Sequence, residues 1–285
     1  MVALPVIYII VFAYIPMYGA QIAFKDFVAA EGIGGSPWVG FKHFRDFFRS
    51  YYFGRTLKNT LGVSLYGLIA GFPFPIILAI LLNETRGRRY KKTVQMVTYM
   101  PYFISTVVMV SIVVQALDLR MGVVNNVLKL LGMESVHFMA KPELFKSIYV
   151  WSGIWQGTGY GSIIYLASLS AIDPTLYEAA IVDGATKLQR IYHIDLPAIL
   201  PTIVILFILN MGGMMSVGFE KVYLMQNPLN LEASEVISTY VYKVGLLGGN
   251  FSFSTAVGFF NSVVNCLLLI AFNAIARRIG QASLW

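Results

Sequence analysis

The chain has 285 residues, of which 57% are hydrophobic and only 12% charged, with a net charge of +7. Soluble domains are charged at roughly a quarter of their positions, so this composition excludes a water-soluble globular protein and points to a membrane. The surplus Lys and Arg form no basic stripe interleaved with exposed aromatics, which sets nucleic acid aside as a partner.

Apolar runs of about twenty residues recur, the length a helix needs to cross a hydrocarbon core of roughly 30 Å. Six spans are predicted, at 2–20, 56–82, 94–117, 147–169, 197–219 and 253–276. The runs are about twice as long as a barrel strand and do not alternate, so helices are the choice. The expected fold is an all-α membrane protein with six transmembrane helices in one compact polytopic domain, 1–285, since no linker or low-complexity tract divides the chain. The opening MVALPVIYII has no basic region before it and no small-residue cleavage pattern after it, and reads as a first span rather than a signal peptide.

In the first connection Phe41, Phe44, Phe47 and Phe48 recur at helical spacing, predicting an amphipathic helix anchored at the outer interface. The second connection, NETRGRRYKK, packs Arg86, Arg88, Arg89, Lys91 and Lys92 into a few residues, and Arg277 and Arg278 follow the last span. The positive-inside rule makes these cytoplasmic, and with six spans both termini are cytoplasmic too. Lys42, Arg45, Arg49 and Lys146 lie in longer connections diluted by acids, which are therefore outside.

The fourth span carries WSGIWQGTGYGS, with Gly153, Gly157 and Gly161 at every fourth position. Such notches serve close helix packing by default, or a mobile seam. Trp155, Gln156 and Tyr160 among them suit a sugar, which is held by an aromatic face and amide hydrogen bonds. Gln115 and Asp118 close the third span, Asn210 lies in the fifth, and Asn261 and Asn265 share a face of the sixth. Polar groups at this depth line a cavity or bond one another across helices. NMGGMM, 210–215, predicts a kink or gate, or else methionines filling gaps. The lone Cys266 reads as a small core residue, and His43, His137 and His193 fall in separate connections, giving no metal or catalytic set. No GxxxxGK[ST] loop is present, Lys92-Thr93 being the nearest fragment, so the sequence offers no phosphate-binding loop of that form.

Between the fourth and fifth spans stands YEAAIVDGATKLQRIYHIDLPAILP, 177–201. Asp173-Pro174 is a helix start and Gly184 a helix stop. A second short piece is expected at 186–193, with Pro197 opening the fifth span. A helix this short needs a partner to be stable; Glu178 and Asp183 supply charge, and Ala179, Ala180, Gly184 and Ala185 a smooth surface.

Glu178, Ala179, Ala180, Gly184, Ile194, Leu196 and Pro197 resemble the loop that defines membrane subunits of binding-protein-dependent ATP-binding-cassette importers. The resemblance implies that 173–196 is a cytoplasmic coupling loop, whose helix, with Asp183, seats in a cleft of an ATPase and moves the spans. SPWVGFKHF, the NTL of 59–61, GFPFPIILAILLNE, YMPYFIS and STYVYKVGL are similar to lipoprotein-associated polysaccharide transport permeases. By that likeness the chain is a non-catalytic permease subunit in a bacterial inner membrane, moving oligosaccharides or polysaccharide fragments inward. Its partners are a second homologous permease, two ATPase copies carrying ATP and Mg, and an extracytoplasmic solute-binding protein touching the outer connections and 226–230, all within membrane lipid. The chain itself holds no cofactor. Basic residues in the outer connections suggest an acidic, uronate or alginate-like sugar, although they also suit lipid headgroups or acids on the binding protein.

Two other classes compete. A polytopic enzyme acting on lipid-linked sugars would use Glu178 and Asp183, but five positions apart on one short helix they point to different sides. An ion-coupled sugar transporter would want embedded acids and internal repeats, and only Asp118, near a span end, approaches that.

Overall fold

The computed structural model describes residues 2–85, 87–280 and 282–285; Arg86 of the basic cluster lies outside the described residues. Among these residues the protein is helical throughout, with one isolated bridge between Lys25 and Trp38. The principal helices are α1 (Ala3–Phe24), α2 (Lys42–Arg49), α3 (Tyr51–Glu84), α4 (Arg88–Phe103), α5 (Thr106–Ala116), α6 (Val123–Leu130), α7 (Pro142–Ser170), α8 (Pro174–Val182), α9 (Lys187–Gly212), α10 (Phe219–Met225), α11 (Ile237–Val241) and α12 (Phe251–Arg278).

Four of them, α1, α3, α9 and α12, are long and apolar enough to cross a membrane. The predicted third span is not one straight helix: α4 and α5 meet at a bend of 100°. Pro101 removes a backbone donor, and Ser105 starts α5 afresh by accepting from the Val108 amide. The predicted fourth span lies in α7, whose 29 residues rise about 43 Å. It falls short of the apolarity of those four because glycine, serine, tyrosine and Gln156 are set along it. That is the composition of a helix facing other helices rather than lipid.

The helix α7 packs along α3 and against α4, α9 and the Leu231–Ser234 turn, so it is the axis of the bundle. At one end Val63, Met109, Phe145, Val222, Met225 and Val236 form a core, and at the other Ala79, Ile80, Tyr165, Leu169 and Ile199 form another. Close to α7's midpoint, a Cβ at Gly159 would stand 2.0 Å from the Thr98 carbonyl oxygen. The notch that matters for contact with α4 is therefore Gly159, not the predicted stripe. Of that stripe, Gly161 faces Pro75, Gly153 faces the Lys221 ammonium, and Gly157 faces open space.

Two sequence expectations change, one in the first connection and one in the last span. The phenylalanines of α2 form the helix expected, yet Phe47 is fully buried against Phe53, Phe253 and Phe260 rather than at a headgroup surface. His43 is buried too, 3.1 Å from the Lys25 carbonyl oxygen and 2.9 Å from Asp26. Cys266, expected in the core, is exposed on the outside of α12. In the NTL motif, Asn59 is buried and its amide donates to the carbonyls of Glu232 at 2.8 Å and Glu235 at 3.1 Å. The motif is a clamp that fixes the connection before α11.

Candidate functional site

Two places combine irregular backbone with exposed or cavity-lining polar groups. The first is the loop around α8. Asp173 caps it by accepting from the Thr175 amide at 2.9 Å, with Pro174 at the first position. Gly184 ends it at φ +76°, a conformation that suits glycine, and the Ala185 amide returns to the Ala180 carbonyl at 2.8 Å. Thr186 and Gln189 then form a reciprocal cap. The expected break at Pro197 is absent: α9 runs on from Lys187 through Pro197 and Pro201. The wider-wound turn Ile191–Asp195 absorbs the hydrogen bond that Pro197 cannot make.

No residue of α8 is buried. Glu178, Ala179, Asp183, Gly184 and Pro197 are exposed, while Ala180, Ile194 and Leu196 are half-buried. The exposed surface is not only acidic: Val182 is 86% and Leu188 78% exposed, with Ile181 and Tyr192 beside them. Apolar side chains clustered this way mark a contact surface.

Beneath, the loop is braced by residues that the motif does not single out. The Tyr177 hydroxyl donates to Asp195, which is fully buried, and Arg190 lies 3.8 Å from Glu84 at the end of α3. Desolvation, reinforced by the Asp195 carboxylate, pushes the Tyr177 hydroxyl up to about 12, so it remains a donor at all physiological pH. Tyr177, five residues before the last residue of α8, and Asp195, just before Leu196-Pro197, carry no periodic signal that sequence alone could read.

The second place is a cavity of about 540 Å³ between α3, α7 and α9, lined by Ser64, Gly67, Gly71, Tyr149, Asn210 and Ser216 among others. It shares Gly67, Gly71, Pro75 and Tyr149 with a recess of about 380 Å³ reaching Gly153, Gln156, Thr158 and Lys221. The residues predicted for a sugar path are placed as follows. Asn210 lines the larger cavity and donates to the Leu206 carbonyl at 2.7 Å. Gln156 lines the recess and donates to the Ile104 carbonyl at 3.1 Å, satisfying the α4–α5 break. Tyr160 stacks on Tyr102 with ring centroids 3.9 Å apart, and Trp155 is exposed outside both spaces. Asn265 accepts from the Met215 amide at 2.8 Å and donates to Ser216 at 2.9 Å, holding the irregular end of α9. Asn261 has a buried amide oxygen without a partner among the described residues. The chain leaves the helix at Gly213, inside the predicted fifth span, and a Cβ at Gly212 would lie 2.4 Å from Leu269 of α12. Lys221 went unnoticed in the sequence because it lies outside every apolar run.

Residues 71–281 match the family described as "Binding-protein-dependent transport system inner membrane component". The chain is 43% identical over 279 residues to Protein LplB of Bacillus subtilis (strain 168), covering 98% of this chain and 88% of that one. It is 44% identical to the polygalacturonan/rhamnogalacturonan transport system permease protein YteP of the same organism, covering 98% and 87%. Among solved structures it matches a chain of a bacterial ABC transporter involved in import of the acidic polysaccharide alginate, with a TM-score of 0.91, 43% identity and coverage of 98% and 94%. On the strength of the matched residues and of these relatives, the chain belongs to the family of binding-protein-dependent transport system inner membrane components.

Proposed function

We propose that this chain forms one side of the membrane path of an ATP-driven importer for acidic oligosaccharides or polysaccharide fragments. The helices α1, α3, the bent α4–α5 pair, α7, α9 and α12 supply six crossings, with the termini and α8 in the cytoplasm. The observation that carries the reading is α8 itself: a capped, wholly unburied helix presenting Glu178 and Asp183 with Val182 and Leu188. Such a surface is stable only when covered, and a cytoplasmic ATPase is the partner that the family supplies.

Glu178, Ala179, Ala180, Asp183 and Gly184 form the contact, and Ile194, Leu196 and Pro197 join it to α9. When ATP, held with Mg on the ATPase, draws two ATPase copies together, the loop moves as one body because Tyr177–Asp195 and Arg190–Glu84 tie it to α9 and α3. The motion tilts the helices around the cavity, which faces a second homologous permease. A solute-binding protein delivers sugar to the outer connections and the 226–230 turn. The sugar itself shifts the equilibrium between the two states only through its unequal affinity for them. The printed substrates of the polygalacturonan relative and the alginate importer support an acidic sugar.

The test is co-purification of the chain with its ATPase from its host after Glu178→Arg or Val182→Asp. Loss of the ATPase from a chain that still accumulates in the membrane is expected. An ATPase that stays bound at full stoichiometry in both variants refutes the assignment of α8.

A further inference from the structure

Among the described residues, the cation at the recess has no carboxylate partner. Lys221 stands on α10 in the connection outside the fifth span, and its Nζ donates to the Tyr149 carbonyl at 2.7 Å while lying 4.4 Å from the Tyr149 ring centre. An ammonium has three donors, and one is used here. Gly153 leaves it room, since a Cβ there would sit 3.1 Å from Nζ. Farther along the same seam, the Lys146 ammonium lies over Gly62, 2.6 Å from where a Cβ would stand, and Lys58 on α3 is close enough to press on its charge. Among the described residues, no carboxylate oxygen comes within 4.0 Å of Lys58, Lys146 or Lys221. By contrast, the nearby Arg55 and Lys243 share the buried Glu235.

Partly buried charges are costly unless paired. Lys146 and Lys221 are half-buried and, with the exposed Lys58 beside Lys146, follow one seam without acids among the described residues; Lys221 borders a recess that shares its lining with the cavity between α3, α7 and α9, and the group therefore has the electrostatics of an anion route. We propose that Lys221 is the specificity-determining residue of the path, reading the carboxylate of a uronate unit, with Lys146 and Lys58 drawing the anionic chain toward it. The inference rests on the importer reading above and deepens it. Burial lowers the Lys221 ammonium to about 8, so most of it is charged at neutral pH. Glu220 and Tyr223 on α10 are the other titratable groups adjoining it in the chain.

The experiment uses the whole importer, with its second permease, ATPases and binding protein, in proteoliposomes. Uptake of a uronate trisaccharide is compared with uptake of its carboxyl-reduced, neutral counterpart. With Lys221→Met, a rise of about tenfold or more in KM for the uronate is expected, against a change below twofold for the neutral sugar, and Lys221→Arg should restore most of the uronate uptake. Equal uronate kinetics in wild type and Lys221→Met would overturn the assignment of Lys221 while leaving the importer reading intact. A parallel loss of both sugars, unrelieved by Lys221→Arg, would reduce Lys221 to a structural role and overturn the proposal as well. A wild-type importer that carries only the neutral sugar would remove the acidic-substrate reading and the Lys221 proposal together.

Discussion

Replacing Gly159 by alanine would test whether the α4–α7 contact organises the bundle. The new Cβ would meet the Thr98 carbonyl oxygen at 2.0 Å, and an ordinary contact begins at 3.4 Å, so the two backbones must part by about 1.4 Å. A backbone carbonyl in mid-helix has no rotamer into which to retreat. Overpacking of this kind costs about 1 to 3 kcal/mol, and the displacement also strains the Gln156–Ile104 hydrogen bond, worth about 1 kcal/mol. A loss of about 2 to 4 kcal/mol lowers the melting midpoint by roughly 4 to 16 °C at about 2 to 4 °C per kcal/mol. Gly157→Ala, two residues away with nothing within 4 Å of its Cβ, is the control and should gain up to about 1 kcal/mol from helix propensity. Heating the detergent-solubilised chain and measuring the fraction that remains monodisperse reads both. Equal midpoints for the two variants would refute the claim that α4 and α7 touch backbone to backbone.

Two further outcomes follow from buried polar groups. Glu235 is 4% exposed and is shared by Arg55 and Lys243, so Glu235→Ala strands two cations; a destabilisation of about 3 to 5 kcal/mol is expected in the same heating assay, and no shift would mean that the triad is solvated. Tyr177→Phe removes the hydroxyl that satisfies buried Asp195, whose second oxygen already has no partner among the described residues. Its ATPase should still co-purify, because α8's outer surface is unchanged, while sugar-stimulated ATP hydrolysis drops several-fold; undiminished stimulation would show that the brace does not transmit motion.

The sequence by itself determined much of this protein, because its strongest signals are local. Asp173-Pro174 and Gly184 bound α8 where the capping chemistry requires, since a cap depends only on a few adjacent residues. The apolar runs located α1, α3, α9 and α12, since spanning length is a one-dimensional property. The acids and small residues of the loop around α8 were legible for the same reason.

Only the tertiary structure decided what depends on neighbours distant in the chain. Gly159 rather than Gly161 meets a backbone because helix crossing, not spacing, selects the notch. The 100° break after Phe103 holds because Gln156, half a hundred residues on, takes the freed Ile104 carbonyl. Phe47 leaves the interface because Phe253 and Phe260 offer it a core. Tyr177 and Asp195 become partners, and Lys221 becomes a cavity residue, only when separate helices are brought together. Packing and electrostatics are sums over space, and a sequence read along its length records composition and period but not which side chains the fold makes adjacent.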